Sequence, residues 1–420
     1  MTSPIHAFST PGGLRVVVEP IPGVRSAAVT WLVPGGAAYD PPDRLGRAAL
    51  WSELLLRGAG DLDSRAQADA FDRLGALRSA DAGALFIRLS LTCLGTRLAE
   101  AFPLLADMVR RPRMDAASIE PSRELALAAL DALRDEPMER AVIEARARHL
   151  PPPLGRSTLG TREGLEALTR EELVMGWRQV ALAGGSILAV AGAVDADAVR
   201  RLVDRTLGDW SGRVEEPRPE GEAPGGYAHQ PDQTAQVQIV VLHEAPPEPH
   251  ADSLTEKVVL SVLSGTMSGR LFTEVRERRG LCYSVHARYS GDRDFGVVTA
   301  DVGTTPDKAQ QALDVLMGEL ARINTAGGAV TADEFRRAVV GMKSRLVFAG
   351  ESTAARASAM ASDVHRLGRA RSLDEILDAL SAVTLDQVNA YLARRRLGRV
   401  TIQTLGPTAL TPPTTDSAHR

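Results

Sequence analysis

Residues 43–58, DRLGRAALWSELLLRG, carry apolar side chains at Leu45, Ala48, Leu50, Trp51, Leu54 and Leu55, the three-and-four spacing of a helix with one buried face. Asp43 is placed to cap the start, and Arg57 followed by Gly58 suits the end. A helix this apolar needs a sheet or other helices against which to bury its face.

Upstream, Leu14 to Glu19 and Ser26 to Val33 are β-rich runs separated by PIPGVR, which predicts neighbouring strands. Downstream, the pattern predicts helices over 64–74, 98–110, 120–134 and 139–149, a strand over 84–94, and a helix introduced by Thr169. A strand over 186–194 and a helix over 195–207 follow. The second half predicts strands over 236–242, 281–290 and 295–302, with helices over 253–263, 306–323, 332–346, 352–367 and 372–380.

Two long-range echoes order these elements. LAEAFPLLADMVRRPRM is answered by KAQQALDVLMGELARIN, and LTREELVMGWRQV followed by GSILAVAGAV is answered by VTLDQVNAYLARR followed by GRVTIQTLG. The starts lie about 210 to 215 residues apart, too long for a solenoid repeat and suited to duplication of a whole domain. Residues 211–232, SGRVEEPRPEGEAPGGYAHQPD, are rich in proline, glycine and charge, as expected of a connection. The fold class that follows is α/β: two homologous α/β sandwich domains, each a largely antiparallel sheet with a helical layer. The expected boundaries are 1–210, a linker at 211–232, 233–410, and a flexible tail over 411–420.

Composition agrees with a folded protein of more than one core. The chain has 420 residues, is 44% hydrophobic, and balances 49 basic against 53 acidic side chains, so it lacks the polycationic surface that nucleic acid or acidic lipid would require. No apolar run reaches the roughly 20 residues that span a bilayer. The opening MTSPIHAFSTPGG lacks a basic segment followed by an apolar one, so the expectation is a cytoplasmic protein, with the periplasm open if a signal peptide has been removed.

The order of these segments, from GGLRVVVEPIPGVRS to TIQTLG, resembles the insulinase and pitrilysin family of zinc peptidases, which includes the mitochondrial processing peptidase. That family's metal helix carries the inverted motif HxxEH. Laid over LGRAALWSELLLRG, the two histidines fall on Ala49 and Glu53, the catalytic glutamate falls on Ser52, and a third ligand on a later helix falls on Ala129. Zinc needs imidazole, thiolate or carboxylate donors, so these degenerate positions imply no metal and no cofactor in this chain. The string FTEVRERRGLCYSV is similar to the family's second-half feature, in which an arginine and a tyrosine seven positions later approach the substrate; the matching residues are Arg276 and Tyr283. The family also offers an edge strand to extended peptides, matched here by ALRSADAGALFIRLS, where Arg78, Ser79, Ala80 and Asp81 stand in place of an asparagine and small residues.

Two-subunit members divide the work between a zinc-bearing chain and a zinc-less partner, and this sequence resembles the latter. The resemblance implies a non-catalytic subunit with no activity alone, an HxxEH-containing zinc peptidase homologue as partner with zinc in that subunit, and unfolded peptide as substrate. It leaves a homodimer open. An assembly role similar to the inactive core homologues of the respiratory cytochrome bc1 complex, and a divergent independent hydrolase, are the alternatives. Ser52 and Glu53 lack a histidine for a triad, His243, His250 and His286 lack metal spacing, and Cys93 and Cys282 form no redox motif.

Overall fold

The computed structural model describes residues 4–413. In chain order, β1 (His6–Ser9), β2 (Arg15–Pro20) and β3 (Ser26–Pro34) precede α1 (Arg47–Leu54). A two-residue hairpin, β4 (Gly58–Ala59) and β5 (Leu62–Asp63), leads to α2 (Ser64–Arg73), β6 (Leu77–Ala82), β7 (Phe86–Leu94), α3 (Leu98–Arg110), α4 (Ala116–Ala132) and α5 (Pro137–His149). Then come α6 (Arg162–Ala167), α7 (Arg170–Val180), β8 (Ile187–Gly192) and α8 (Ala196–Leu207). The second half runs β9 (Gly226–Pro231), β10 (Val237–Ala245), α9 (Ser253–Ser264), β11 (Ser284–Gly291), β12 (Gly296–Thr304), α10 (Ala309–Arg322) and α11 (Ala332–Gly350). It closes with α12 (Thr353–Leu367), α13 (Leu373–Ala382), α14 (Leu385–Arg394) and β13 (Val400–Gly406).

The first sheet has the order β1-β2-β8-β3-β7-β6, and the second β11-β12-β10-β13-β9. In the first, only β2 with β8 is parallel; in the second, only β9 with β13. Matching the two lists puts β10 on β3, β12 on β7, β11 on β6 and β13 on β8, so pairing sense repeats along with sequence. The echo extends to helix starts. The Thr169 hydroxyl accepts the Glu172 N–H at the start of α7 while the Glu172 carboxylate accepts the Thr169 N–H, and Thr384 and Gln387 do the same for α14, the same capping box in both halves. Both domains are therefore α/β sandwiches with a mixed, mostly antiparallel sheet flanked by helices.

Alternation on β3 splits the first sheet into two apolar faces. Ala27, Val29, Trp31 and Val33 enter the core shared with α1, α3, α7 and α8, while Ala28 and Leu32 face Ala357, Met360, Ala361 and Val364 of α12. That second face is seated by a buried ion pair of Arg356 with Glu19 at 2.8 Å and by a hydroxyl contact of Ser26 with Thr353 at 3.1 Å. The second sheet is likewise covered on one face by α9 and α10. On the other, α5 packs against β10 and β13, with His149 Nδ1 2.9 Å from Thr401 Oγ1.

This seating redraws the contiguous boundaries expected from composition. Among the described residues, one compact unit comprises 4–132, 152–221 and 349–373, and the other 133–151, 222–348 and 374–413. Each unit thus holds one helix from the opposite half of the sequence, α12 in the first and α5 in the second. The segment 211–232 is also not connection throughout: its last third is β9, whose residues 226–231 pair with 401–406. Polar composition hid that strand, because β9 is a partly exposed edge. Of the tail, Thr411 exchanges two hydrogen bonds with Gln310, and 414–420 lie outside the described residues.

Candidate functional site

Helix α1 begins later than expected, and Asp43 does not cap it. The buried Asp40 carboxylate does this work from six residues upstream, accepting the Gly46 N–H at 2.8 Å and the Ala48 N–H at 3.1 Å. Gly46 sits at φ 114°, a left-handed value that a side chain would strain, and its backbone abuts that of Gly160. Burial pushes the Asp40 carboxyl up to about 6, although these N–H donors and the Arg47 charge pull the other way. Arg47 stacks 4.7 Å from the Trp51 ring centre, and Trp51 donates its indole N–H to Leu173 O at 3.0 Å, so the helix is held on two sides.

On this rigid helix Ala49, Ser52 and Glu53 are all partly exposed, and α4 packs alongside with Ala129 exposed on it. The four positions of the motif are brought together on adjacent helices, but they supply two methyl groups, one hydroxyl and one carboxylate. Such a set does not fit a zinc ion, which takes three protein ligands in hydrolytic sites. Ser52 turns its hydroxyl back to Ala49 O at 2.8 Å, the ordinary intrahelical bond of a serine without a base to activate it. Among the described residues no group of three or more His, Cys, Asp or Glu side chains could hold a metal ion.

The second unit carries the Arg276 and Tyr283 pair. Residues 272–277 form a π-helical turn, with the Arg278 N–H reaching back five residues to Thr273 O at 2.9 Å. Arg276 lies on that turn, exposed, its guanidinium 4.7 Å from the Phe272 ring centre. Its neighbours Arg278 and Arg279 are both tied to Glu274 at 2.6 Å, whereas Arg276 makes no ion pair. Buried Leu281, bonded through its N–H to Val275 O at 3.0 Å, anchors the chain. Two residues later Tyr283 stands 79% exposed just before edge strand β11, with no hydrogen bond. A planar fork of donors and a phenolic O–H are suited to a peptide carbonyl or an oxyanion.

The remaining candidates separate. Burial pushes the Cys282 thiol up to about 11 against the pull of Arg276, the opposite of a reactive thiolate. His243 is buried with Arg395 and Glu256, His250 lies beside Asp252, and His286 is exposed on β11. Two features escaped the sequence reading. Asp40 stands outside any short cap motif, and Arg78 on β6 gives no sign in sequence that it lacks a partner.

Two family profiles match in succession: insulinase (peptidase family M16) over residues 15–162, and the peptidase M16 inactive domain over residues 167–342. An uncharacterized zinc protease of Bacillus subtilis is 26% identical over 402 residues, covering 93% of this chain and 95% of that one. The peptidase M16 inactive domain structure from Pseudomonas fluorescens superposes with a TM-score of 0.83 at 20% identity, covering 98% of this chain and 100% of that one. A protease structure from Helicobacter pylori gives 0.84 at 15% identity, covering 97% and 100%. With two successive domain profiles, full-length relatives and the same two-sandwich fold, the chain belongs to the insulinase family of M16 peptidases.

Proposed function

We propose that this chain is the non-catalytic subunit of a heteromeric zinc peptidase, binding unfolded peptide and completing the site of an HxxEH-containing partner that carries the zinc. The observation that carries this reading is a contrast within one molecule. Of the three metal positions Ala49 and Ala129 carry no donor and Glu53 keeps a single carboxylate, and Ser52 replaces the catalytic glutamate, while Arg276 and Tyr283 remain displayed to solvent with their hydrogen-bonding capacity unspent.

The test is reconstitution with an HxxEH homologue. Tyr283→Phe removes one hydroxyl and keeps the ring; Arg276→Lys keeps the charge and loses the planar fork. If either donor stabilises the oxyanion, peptide hydrolysis by an intact complex should fall about 100-fold or more, as when an oxyanion-hole donor is removed. A rise in KM alone would assign the pair to peptide positioning. Wild-type rates from both variants, with the complex unchanged by size-exclusion chromatography, would overturn the contribution.

A further inference from the structure

Strand β6 ends the first sheet, paired with β7 through Leu77↔Thr92 to Ala82↔Ile87 and with nothing on its other side among the described residues. Its side chains alternate. Ala80 and Ala82 lean on the helix-covered core, and so does Arg78, whose guanidinium lies 4.5 Å from the ring centre of buried Phe71. Leu77, Ser79 and Asp81 take the opposite face, where the Ser79 hydroxyl donates to Asp81 at 3.2 Å.

Arg78 is unusual for a half-buried cation. Its side chain makes no hydrogen bond and no ion pair, and its Nε is buried without a partner. Burial pulls its pKa below the ordinary guanidinium value, and Asp72 offsets this only in part. Glu53, on the helix that packs against β6, forms no ion pair with it. Arg57, three residues past the end of α1, is a second half-buried arginine whose Nε is unpartnered and whose side chain makes no hydrogen bond or ion pair. Leaving such groups unmet costs free energy that an incoming acceptor would recover.

We propose that Arg78 reads a carboxylate on a peptide that adds to the free edge of β6. This rests on the peptide-binding reading above and narrows it to a substrate class, peptides carrying an acidic side chain or a free C-terminus at that slot. In an added strand the residue opposite Arg78 lies on the same face, close enough for its carboxylate to meet the guanidinium fork. The stack on Phe71 holds the fork in place beforehand, so little side-chain entropy remains to be lost. Asp81 points to the other face and does not compete for it.

The experiment uses the full-length protein and fluorescein-labelled ten-residue peptides on a neutral Ser/Thr/Val frame, read by fluorescence anisotropy. One set scans Glu against Gln through the central positions with amidated ends; another compares free and amidated C-termini on an all-neutral peptide. An about tenfold preference for Glu over Gln at one register assigns a side-chain carboxylate, and the same preference for the free end assigns a terminal one. In Arg78→Gln that ratio should collapse to about one, and Arg78→Lys should keep part of it, in proteins whose thermal unfolding matches wild type. Equal binding of acid and amide, or a preference that survives Arg78→Gln, overturns the proposal while leaving peptide binding intact. If none of the peptides binds, the peptide-binding reading falls and this inference falls with it.

Discussion

Arg395 and Glu256 form a two-point ion pair, guanidinium Nε and Nη2 lying 2.7 and 2.6 Å from the two carboxylate oxygens, with both side chains almost wholly removed from water. The Tyr391 hydroxyl donates to the same carboxylate at 2.6 Å. Burial alone would push the Glu256 carboxyl up, but the Arg395 charge and these hydrogen bonds override it and hold it below its ordinary value. Glu256→Ala leaves a buried guanidinium without a counter-charge and should lower unfolding free energy by about 3–5 kcal/mol. The double replacement Glu256→Leu with Arg395→Met should recover much of that loss. Urea unfolding followed by circular dichroism is the appropriate probe, because Trp31, Trp51, Trp177 and Trp210 all lie in the other unit.

Two histidines of the same unit give stability a pH dependence. Burial, reinforced by Arg399, lowers His149 to about 4; burial, reinforced by Arg395, lowers His243 to about 4. Both stay neutral in the folded protein while the unfolded chain takes up protons near its ordinary value of about 6.5. Stability is therefore full above about pH 6.5 and falls as the pH drops toward 4. His149→Gln should flatten that slope, and an unaltered slope in urea titrations between pH 7 and 4.5 would remove His149 from the account.

Metal content tests the loss of donors at α1 and α4. Protein purified without an affinity tag should retain far less than one equivalent of zinc. Because the two helices remain adjacent, the triple replacement Ala49→His, Glu53→His and Ala129→Glu should restore binding of one zinc ion, measured by isothermal titration. Failure of a correctly folded triple variant to bind would mean that the helices no longer hold the family's ligand spacing.

The cap of α1 separates two aspartates three residues apart. Asp40→Ala removes the acceptor of two backbone N–H groups and should destabilise the first unit by about 1–2 kcal/mol. Asp43→Ala, at an exposed position whose only side-chain partner is Arg44, should cost little. Tryptophan fluorescence reports this unit directly, since Trp51 sits on the helix in question.

Where local chemistry decides an element, it was legible. Helix α3 spans the residues its spacing predicts, and the threonine start of α7 shows in sequence because its capping box lies within four residues. Asp40 was missed because it caps across a loop, and β9 because an exposed edge strand needs no apolar alternation. The motif losses at Ala49 and Ala129 follow from residue identity alone, whereas the exposure of Arg276 and Tyr283 and the isolation of Arg78 depend on what the folded chain leaves unpaired. The placement of α5 and α12 could not be read from either helix, since an apolar stripe specifies that a helix packs and not which sheet receives it.

That placement governs synthesis on the ribosome. All six strands of the first sheet have been made once Gly192 is joined, yet the face bearing Val17, Ala28, Leu32 and Ile187 awaits α12, which begins at Thr353. About 160 further residues must be added, roughly 8–30 s at 5–20 residues per second. Throughout that interval the first sheet lacks the helix that covers this apolar face in the folded chain, so its last layer cannot close until nearly nine-tenths of the sequence has been made.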